Sequence, residues 1–496
     1  MITLIKFGTS GWRAKIGEHF SVHNIRRVAC ATALHIKENK RYGYNGEEYE
    51  FYLKSRNKSK PNVPLVIIGY DTRFFSEIAA RIVAEVFAYH GINVIFSNIE
   101  SPTPTVAWMV MKNNAVGGVM ITASHNPPEY NGYKWTPFWG GPATVEITND
   151  IESKAFSLPD SLCERYMDFE AGVSNKIIKV ADFHQDYFEQ INKIIDFKKI
   201  KSVKPKVAID SVYGTARTYL KKLLLDCGLN IVGIRENRDV YFGGHSPDTD
   251  EENLKDLKLN VTKNKCDIGL ACDGDADRFG IVTSSGKWLS PNLVLGLCYY
   301  HLLENKKMKG GVVRSVMTSH MVDVIAKNYG CEVRETPVGF KYIGDLLKTG
   351  AYLIGGEESG GLSITGHVPE KDGILACLLV TEMICYDRSG IDKIIEKAEK
   401  MFGKFYNARI NFKISEDMDM GKIVERLKNN PPLKIGNNAV WRIDHTDGFK
   451  FILKNGAWLG LRPSGTEPVV RIYAEANEQS LLNKLIEEGK NIVNGK

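Results

Sequence analysis

The chain has 496 residues, of which 65 are basic and 59 acidic, so its formal net charge is +6. This length predicts several domains, because a domain usually holds about 100–200 residues. With 43% apolar and 25% charged residues, the composition is that of an ordinary globular protein and argues against widespread disorder. The positive charge is too dilute for a nucleic-acid partner, which needs a dense basic face.

The sequence also argues against a membrane protein and a secreted protein. No apolar run reaches the ~18 residues that a membrane span requires. The most apolar stretch, 374–384, is interrupted by Thr381 and Glu382. The N-terminal residues lack the basic region and long apolar segment of a secretory signal. Nine cysteines without a CxxC pair favour buried free thiols in a reducing compartment. We therefore expect a cytoplasmic protein.

In chain order, blocks of strand, helix and strand recur three times. Each block joins a short apolar run to a segment with apolar residues at helical spacing and then to a second strand. The predicted blocks are 65–69, 76–89 and 92–96, followed by a strand at 118–122; then 206–209, 215–225 and 231–234; then 311–315, 319–329 and 331–335. This repetition indicates three related α/β domains with mixed or parallel sheets.

The C-terminal segment differs from these blocks. Strands are predicted at 405–414, 448–453, 458–462 and 469–474, and helices at 420–428 and 478–493. This order is typical of a smaller α+β domain with an antiparallel sheet. The segment 37–64 is rich in Lys, Asn, Tyr and Glu, and we expect it to be a solvated surface insertion. Segments 152–174 and 400–404 are predicted to connect domains, and we expect four domains at 1–180, 181–290, 291–402 and 403–496.

A serine follows the predicted strand at 118–122, in the segment TASHNPP that contains Ser124. A small hydroxyl at the end of a strand, beside His125 and stiffened by two prolines, suits a nucleophile at the tip of a loop. A serine that only caps a turn is the alternative, and the dipeptide alone does not exclude it. No GxSxG elbow is present, so acyl-transfer chemistry is not favoured.

A second segment, DGDADR, places Asp273, Asp275 and Asp277 at alternate positions between two apolar runs. Carboxylate oxygens in one concavity are the ligands that Mg²⁺ prefers. An EF-hand is excluded because its sixth and twelfth positions would be Arg278 and Ser284. An acidic structural turn is the alternative, and the Asp-x-Asp of dehalogenase-type phosphotransferases fits the third Asp and the Arg poorly.

Two further segments are rich in glycine. GGEESGG, at 355–361, lets the backbone approach a ligand while Glu and Ser reach sugar hydroxyls. RPSGTEP, at 462–468, followed by Arg471, combines backbone amides, hydroxyls and guanidinium groups as a phosphate cradle would. Either segment alone could be a structural turn. In combination, the four segments indicate phosphoryl transfer on a phosphosugar.

In this order, the four segments resemble the signature loops of the α-D-phosphohexomutase superfamily, which comprises phosphoglucomutases, phosphomannomutases and phosphoglucosamine mutases. The resemblance begins at FGTSGWRA, residues 7–14, and covers nearly the whole chain. It implies an α/β fold with four domains around a central cleft: three related α/β domains with mixed sheets and a smaller C-terminal α+β domain. It also implies an isomerase.

The resemblance assigns roles to individual residues. The catalytic residues it implies are Ser124, which would carry a phosphoryl group in the resting enzyme, His125, Lys134 as a general acid or base, and Arg13 and Arg278, which would stabilise the transferring group. The metal ligands are the Ser124 phosphate together with Asp273, Asp275 and Asp277, holding Mg²⁺. The substrate-binding residues are Thr9, Ser10, Gly339, Lys341, Glu357, Ser359, Arg462, Ser464, Gly465, Thr466 and Arg471.

The implied reaction converts one hexose monophosphate into another through a 1,6-bisphosphate. Phosphoserine would donate its phosphoryl group to the free hydroxyl, and the bisphosphate would turn before the other phosphate returns to Ser124. Mg²⁺ is the implied cofactor, and glucose 1,6-bisphosphate the intermediate and activator. The implied partners are small hexose phosphates, with no nucleic acid and no membrane, and the chain would be a monomer or a small homo-oligomer.

The segment GGEESGG at 355–361 is called the sugar loop below. The residue in the middle of its Glu-Glu-Ser sequence helps to predict the substrate. Glu357-Glu358-Ser359 favours a phosphoglucomutase, because bifunctional phosphomannomutase/phosphoglucomutases typically have Met at the middle position and phosphoglucosamine mutases have Gln. Glucose and mannose share the hydroxyls that Glu and Ser reach. A phosphomannomutase or a bifunctional enzyme is therefore the nearest alternative. A phosphoglucosamine mutase or a non-catalytic phosphosugar-binding paralogue comes after it.

Overall fold

The computed structural model describes residues 5–8, 10–415, 419–464 and 468–495, and four β-sheets organise them. Helices accompany the first three sheets, which contain parallel pairs, and every strand pair of the fourth sheet is antiparallel. The expected fold class, three α/β domains and a C-terminal α+β domain, is confirmed. Among the described residues, none of the helices combines the length and apolarity that crossing a bilayer requires.

The first sheet has seven strands in the order β1-β2-β6-β5-β3-β4-β7. Its strands are β1 (Phe7–Gly8), β2 (Gly11–Lys15), β3 (Leu65–Tyr70), β4 (Asn93–Ser97), β5 (Gly117–Ile121), β6 (Tyr130–Pro137) and β7 (Ile178–Ala181). Its helices are α1 (Val22–Glu38), α2 (Glu47–Ser55), α3 (Ser76–Tyr89), α4 (Thr103–Lys112), α5 (Val145–Ser157), α6 (Asp160–Cys163) and α7 (Phe169–Ser174). Every residue of β5 is buried, as in a strand covered on both faces. The segment TASHNPP at 122–128, called the serine loop below, follows β5.

The second sheet has five strands in the order β12-β11-β10-β8-β9. The strands are β8 (Val207–Asp210), β9 (Ile231–Ile234), β10 (Ile268–Cys272), β11 (Phe279–Thr283) and β12 (Trp288–Leu289). The helices are α8 (His184–Ile194), α9 (Phe197–Val203), α10 (Leu220–Leu225) and α11 (Lys255–Lys263), with 3₁₀ turns at Thr215–Thr218 and Phe242–Gly244. The buried strands β10 and β11 are antiparallel neighbours. The segment DGDADR at 273–278, called the acidic loop below, connects them.

The third sheet has four strands in the order β14-β13-β15-β16. The strands are β13 (Gly311–Ser315), β14 (Val333–Thr336), β15 (Tyr352–Glu357) and β16 (Gly361–Ile364). The helices are α12 (Pro291–Glu304), α13 (Met321–Asn328), α14 (Phe340–Leu347), α15 (Gly373–Tyr386) and α16 (Ile391–Phe402). The sugar loop connects β15 to β16.

Helix α15 explains the most apolar stretch of the sequence. It is buried from Gly373 to Cys385 and belongs to a hydrophobic cluster that extends through both the second and the third domain. The polar side chains that interrupt the stretch are satisfied inside this core: Thr381 Oγ1 donates to a backbone carbonyl, and Glu382 pairs with His301 and Lys306. Because the acidic loop and the sugar loop are both attached to this close-packed core, their relative position is restricted.

The fourth sheet has six strands in the order β17-β22-β21-β20-β19-β18. The strands are β17 (Tyr406–Lys413), β18 (Lys434–Ile435), β19 (Asn438–Asp444), β20 (Phe449–Leu453), β21 (Trp458–Pro463) and β22 (Val469–Ala476). The helices are α17 (Met420–Asn429) and α18 (Gln479–Asn494), which pack on the sheet in a separate core. The segment RPSGTEP at 462–468, called the phosphate loop below, begins at the end of β21 and leads to β22.

The insertion at 37–64 requires a correction. A solvated loop was expected, but the segment contains helix α2, in which Tyr49 and Leu53 are buried. The rings of Tyr49 and Tyr52 both lie 5.1 Å from the ring of Phe138. Charged residues dominated the expectation, whereas the aromatic residues at helical spacing decide the fold because each buries a large apolar area. The expected connector at 152–174 is likewise mostly helical, in α5, α6 and α7.

Candidate active site

Ser124 lies directly beyond the end of β5, in a backbone conformation that side chains other than glycine rarely adopt. Its φ is +53°, and its side chain is buried. Its Oγ donates a hydrogen bond of 2.8 Å to Oδ2 of Asp273 and lies 3.4 Å from Nδ1 of His125. Such strained positions persist where the surrounding structure enforces them, and they cluster at functional sites.

The serine loop is fixed by a buried ion pair that sequence reasoning missed. Arg73 and Asp71 are both fully buried, and Nε of Arg73 lies 3.1 Å from Oδ2 of Asp71. The same Asp71 oxygen accepts from Oγ1 of Thr122 at 2.6 Å. The guanidinium of Arg73 donates to the carbonyls of Ser124, Asn126, Pro127 and Tyr130. One side chain therefore binds four carbonyl groups of the loop, which restricts its shape.

The three aspartates of the acidic loop converge. Each of Asp273, Asp275 and Asp277 offers a carboxylate oxygen, and these oxygens lie within 4.8 Å of one another. The second oxygens of Asp275 and Asp277, the Oδ1 atoms, are buried without a hydrogen-bond partner. Burial, and then the charges of Asp277 and Asp275, raise the pKa of Asp273 well above its ordinary value. Unpartnered buried carboxylate oxygens fit a hard divalent cation such as Mg²⁺.

Two lysines face the same carboxylates. Nζ of Lys134 lies 2.6 Å from Oδ2 of Asp275 and 3.0 Å from Oδ2 of Asp277. Nζ of Lys371 lies 3.1 Å from the latter oxygen. Burial opposes the charge of Lys134, but the two aspartates outweigh it and raise its pKa. Sequence reasoning missed Lys371, because nothing in its local sequence marks it and only the entry of the chain into α15 brings it to the site.

Two arginines complete the charged surroundings. Arg13, on β2, donates from Nη1 to Oδ1 of Asn126 at 2.6 Å. The backbone amide of Arg278 donates to Oδ1 of Asp273 at 3.0 Å. Burial, and then the charge of Arg278, lower the pKa of Arg13, and the same causes lower the pKa of His125 well below its ordinary value. The structure thus brings together all five residues expected to be catalytic.

Two glycines permit the close approach of the loops. A Cβ atom added to Gly274 would lie 2.9 Å from the backbone oxygen of Ser124, and one added to Gly373 would lie 2.2 Å from that of Arg278. The acidic loop is therefore in backbone contact with the serine loop on one side and with the start of α15 on the other. Larger residues at these two positions would push the loops apart.

The sugar loop contains one buried carboxylate, that of Glu357, and one half-buried carboxylate, that of Glu358. Oγ of Ser359 donates to Oε1 of Glu357 at 2.8 Å, while Oε2 of Glu357 is buried without a partner. Burial, and then the neighbouring Glu358, raise the pKa of Glu357. Glu358 accepts from Oγ of Ser315 at 2.8 Å. An unpartnered buried carboxylate oxygen beside a hydroxyl suits a ligand that donates hydrogen bonds.

The fourth domain carries the residues that were expected to form a phosphate cradle. Arg462 and Arg471 are directly paired across β21 and β22, so both side chains lie on the same face of the sheet. The backbone amide of Ser464 donates to the carbonyl of Val469 at 2.9 Å. Two guanidinium groups opposite each other favour an anion between them. Gly465 and Thr466, also expected in the cradle, lie outside the described residues, as does Thr9.

The remaining expected residues, Gly339, Lys341 and Ser10, lie before α14, within α14 and between β1 and β2. Gly339 has a φ of +130° and precedes α14, whose second residue is Lys341, with its Nζ 5.0 Å from the ring of Tyr342. Ser10 lies in the turn between β1 and β2. Among the contacts of the described residues, none joins Lys341 or Ser10 to the acidic loop.

Two cavities follow the cleft between the domains. One of about 490 Å³ is lined by the serine loop at His125 and by Asp248 and Asp250. The other, of about 350 Å³, is lined by the same two aspartates and by Arg278, the sugar loop and Tyr473 of the fourth domain. The shared aspartates make the two cavities neighbours. Together these two neighbouring cavities, called the trough below, are lined by residues of all four domains, and each is on the scale of a small-molecule site.

The fold and this site define a mutase, an enzyme of the isomerase class. The four domains match the four models of one family: "Phosphoglucomutase/phosphomannomutase, alpha/beta/alpha domain I" over residues 51–160, domain II over 185–286, domain III over 290–402 and the C-terminal domain over 410–491. The chain belongs to the phosphoglucomutase/phosphomannomutase family, within the α-D-phosphohexomutase superfamily.

Individual relatives cover the chain almost completely. It is 31% identical to a phosphoglucomutase/phosphomannomutase of Thermococcus kodakarensis, over 90% of this chain and 92% of that protein. It is 30% identical to a phosphoglucomutase of Komagataeibacter xylinus, over 97% and 89%. A crystal structure of a protein assigned provisionally as a phosphomannomutase, from Thermus thermophilus, superposes with a TM-score of 0.83 at 28% identity over the full length of both chains.

Proposed function

We propose that this phosphohexomutase is a phosphoglucomutase that interconverts glucose 1-phosphate and glucose 6-phosphate through a phosphorylated Ser124. The observation that carries the proposal is the hydrogen bond of 2.8 Å between Oγ of Ser124 and Asp273. A serine hydroxyl bonded to a buried acidic triad, whose other carboxylates contact Lys134 and Lys371, supports phosphoryl transfer over the capping of a turn.

The chemistry is assigned as follows. The bond between phosphorus and Oγ of phosphorylated Ser124 breaks while a bond forms between phosphorus and the free hydroxyl oxygen of the sugar. Lys134 and Lys371 are the candidates by position for proton transfer: the ammonium group would protonate the departing Oγ, and the amine so formed would accept the hydroxyl proton. Arg13 and Arg278 would offset the charge of the transferring group, and His125, neutral because its pKa is lowered, would contribute a hydrogen bond. Positioning and charge stabilisation account for most of the catalysis of such transfers.

The acidic triad is assigned to Mg²⁺. Asp273, Asp275 and Asp277 would hold the ion together with the phosphate on Ser124, which adds about −1.5 to −2 charge. When bound, the ion supplies a Lewis acid that withdraws charge from the phosphoryl oxygens. The buried oxygens of Asp275 and Asp277 that lack hydrogen-bond partners support this assignment.

The sugar and the second phosphate are assigned to the third and fourth domains. Glu357 and Ser359 would bind sugar hydroxyls, with Ser10, Gly339 and Lys341 nearby. Arg462, Ser464 and Arg471 would bind the phosphate that is not transferred, together with Thr9, Gly465 and Thr466, which lie outside the described residues. Glucose 1,6-bisphosphate would be released from Ser124, turn within the trough and return its other phosphate, and added bisphosphate would activate dephosphorylated enzyme.

A substrate panel tests the glucose preference. Coupled assays with glucose 1-phosphate, mannose 1-phosphate and glucosamine 1-phosphate should give the highest kcat/KM with the glucose compound, because Glu358 occupies the middle position of the sugar loop. A higher kcat/KM with mannose 1-phosphate would make the chain a phosphomannomutase, and equal values would make it bifunctional. No turnover of any of the three, with intact folding, would make it a binding paralogue.

The panel also needs a control for the enzyme itself. Ser124→Ala removes the proposed phosphoryl acceptor while leaving the Arg73 contacts to the backbone in place. Its activity should be lost with every sugar.

We further propose that the domains divide at residues 180, 290 and 402 and that the enzyme acts in the cytoplasm.

A further inference from the structure

Asp447 contacts two loops that belong to different domains. It lies in the turn between β19 and β20 of the fourth sheet. Its Oδ1 forms an ion pair of 2.9 Å with Nε of Arg462, the first residue of the phosphate loop. Its Oδ2 accepts a hydrogen bond of 3.1 Å from the backbone amide of Val338, in the 336–341 loop of the third domain. Each carboxylate oxygen therefore has its own partner.

The backbone fixes the position of this carboxylate. The next residue, Gly448, has a φ of +87°, and a Cβ there would lie 2.5 Å from the carbonyl oxygen of Leu461. The turn is thus packed directly on the end of β21, where Arg462 begins the loop. On the other side, Oδ1 of Asp444 accepts from the amide of Thr446 at 2.8 Å. Asp447 can therefore orient Arg462 without moving itself.

Asp447 balances part of the positive charge at Arg462 and Arg471. Arg462 faces Arg471 across the strand pair, and like charges in this position repel each other. A single carboxylate offsets one of the two charges and leaves the pair attractive to an anion. Because Asp447 engages Nε, the donors on the Nη atoms of Arg462 are not needed for this contact and can serve a phosphate.

The contact with Val338 makes this arrangement depend on domain docking. The third and fourth domains meet in a small apolar cluster of Val316, Met317, Ile452, Trp458 and Tyr473, against which Val338 packs. The bond from Val338 to Asp447 forms only when the fourth domain is docked in this way. Asp447 then joins the phosphate loop to the loop that precedes α14.

We propose that Asp447 is a positioning residue, which aims the guanidinium of Arg462 at the phosphate that is not transferred and couples it to the 336–341 loop. The inference rests on the proposed function of Arg462. It assigns to Asp447 no contact with the substrate. Its loss should therefore weaken the binding of ground state and transition state alike, which raises KM and leaves kcat nearly unchanged.

The test compares Asp447→Asn with Asp444→Asn. Asp447→Asn keeps the shape of the side chain and removes its charge, so the ion pair with Arg462 is lost and the Kd of glucose 6-phosphate by calorimetry should rise about tenfold. The KM should rise in parallel, with kcat within about twofold of the wild type. Asp444→Asn, at the end of β19, contacts neither loop and keeps the oxygen that accepts from the amide of Thr446, so it should keep the wild-type Kd and KM.

A double-mutant cycle shows whether Asp447 acts through Arg462. In an Arg462→Ala background, Asp447→Asn should raise the Kd of glucose 6-phosphate less than about threefold, because its partner is already gone. An unchanged Kd in Asp447→Asn, a fully additive cycle, or a fall in kcat together with a lowered midpoint of urea unfolding would each overturn the inference. Failure of the mutase proposal is distinguishable, since it would leave no turnover while inorganic phosphate and glucose 6-phosphate still bind in an Arg462-dependent way.

Discussion

Oγ of Ser124 donates to Oδ2 of Asp273 across the boundary between the first and the second domain. The serine loop ends a strand of one sheet, and the aspartate begins the acidic loop of the next. A phosphoryl group on this oxygen would therefore project towards three carboxylates that already repel each other. A divalent cation between the phosphate and the carboxylates would relieve this repulsion, so phosphorylation of Ser124 and metal binding should strengthen each other.

The first prediction concerns this dependence. Enzyme phosphorylated on Ser124 should bind Mg²⁺ more tightly than dephosphorylated enzyme, and Asp275→Asn should lower the affinity at least about tenfold in both forms, because it removes a ligand charge. Isothermal calorimetry measures both effects. Asp267→Asn, a change at the opposite end of β10, should leave the affinity unchanged. Equal affinity of the two phosphorylation states would contradict this account of the acidic loop.

The second prediction concerns the anchor of the serine loop. Arg73→Met leaves the buried carboxylate of Asp71 without its partner, which should lower the free energy of unfolding of the first domain by about 3–5 kcal/mol. Adding Asp71→Asn should recover part of this loss, because the uncompensated charge is removed. Hydrogen exchange of peptides covering residues 120–134, with urea unfolding, measures both variants. A double variant that loses the sum of the two single losses would show that the residues act independently.

Much of the site could be predicted because its residues are local. Ser124, the three aspartates and the sugar and phosphate loops each lie within a short segment whose residue types indicate their chemistry. The strands before the serine loop and the phosphate loop were placed within about a residue, at 118–122 for the observed Gly117–Ile121 and at 458–462 for Trp458–Pro463, since buried strands leave a continuous apolar run.

The residues that were missed act over long distances in the chain. Arg73 contacts a loop that begins near Ser124, Lys371 contacts Asp277, and Asp447 contacts Val338. Nothing in the residues next to them distinguishes these side chains from the many solvated charges of the sequence. Helix α2 was missed for a related reason: the partner of its aromatic residues, Phe138, lies far along the chain.

The third prediction concerns Lys371. Its Nζ lies 3.1 Å from Asp277, on the same carboxylate that Lys134 contacts. If it takes part in proton transfer, Lys371→Ala should lower kcat by at least about 10²-fold, the usual range for loss of an acid or base. Lys287→Ala, an exposed lysine of the second domain, serves as the control and should keep wild-type kcat. Retention of more than a tenth of kcat in Lys371→Ala would limit this lysine to balancing charge.

The fourth prediction concerns a buried lysine between the third and fourth domains. Nζ of Lys450 donates to the carbonyl of Val316 at 2.5 Å and lies 2.9 Å from Nε2 of His320. Burial, and then the charge of Arg314, lower the pKa of Lys450 to about 8. The other charged groups that face it are Glu335, Glu475 and Asp323. At neutral pH the folded protein therefore carries an unfavourable buried charge.

The sign of the pH effect follows from this lowered pKa. Above pH 8 the folded state loses the proton while the unfolded state still binds it, so the penalty shrinks as the pH rises towards the ordinary lysine value. Relative to Lys450→Met, the wild type should gain about 2 kcal/mol of stability between pH 8 and 9.5. Urea unfolding at both pH values measures this difference. The exposed Lys454→Met should show none, and a pH-independent difference for Lys450→Met would contradict the buried-charge argument.

The fifth prediction is the transfer of the phosphoryl group itself, which is the central claim. Enzyme labelled with radioactive phosphate should carry the label on the peptide that contains Ser124, and a brief incubation with unlabelled glucose 1-phosphate should move it to glucose bisphosphate and glucose 6-phosphate. Ser124→Ala should neither take up label nor turn over substrate. Label that stays on Ser124 while glucose 1-phosphate is converted at the normal rate would contradict the account.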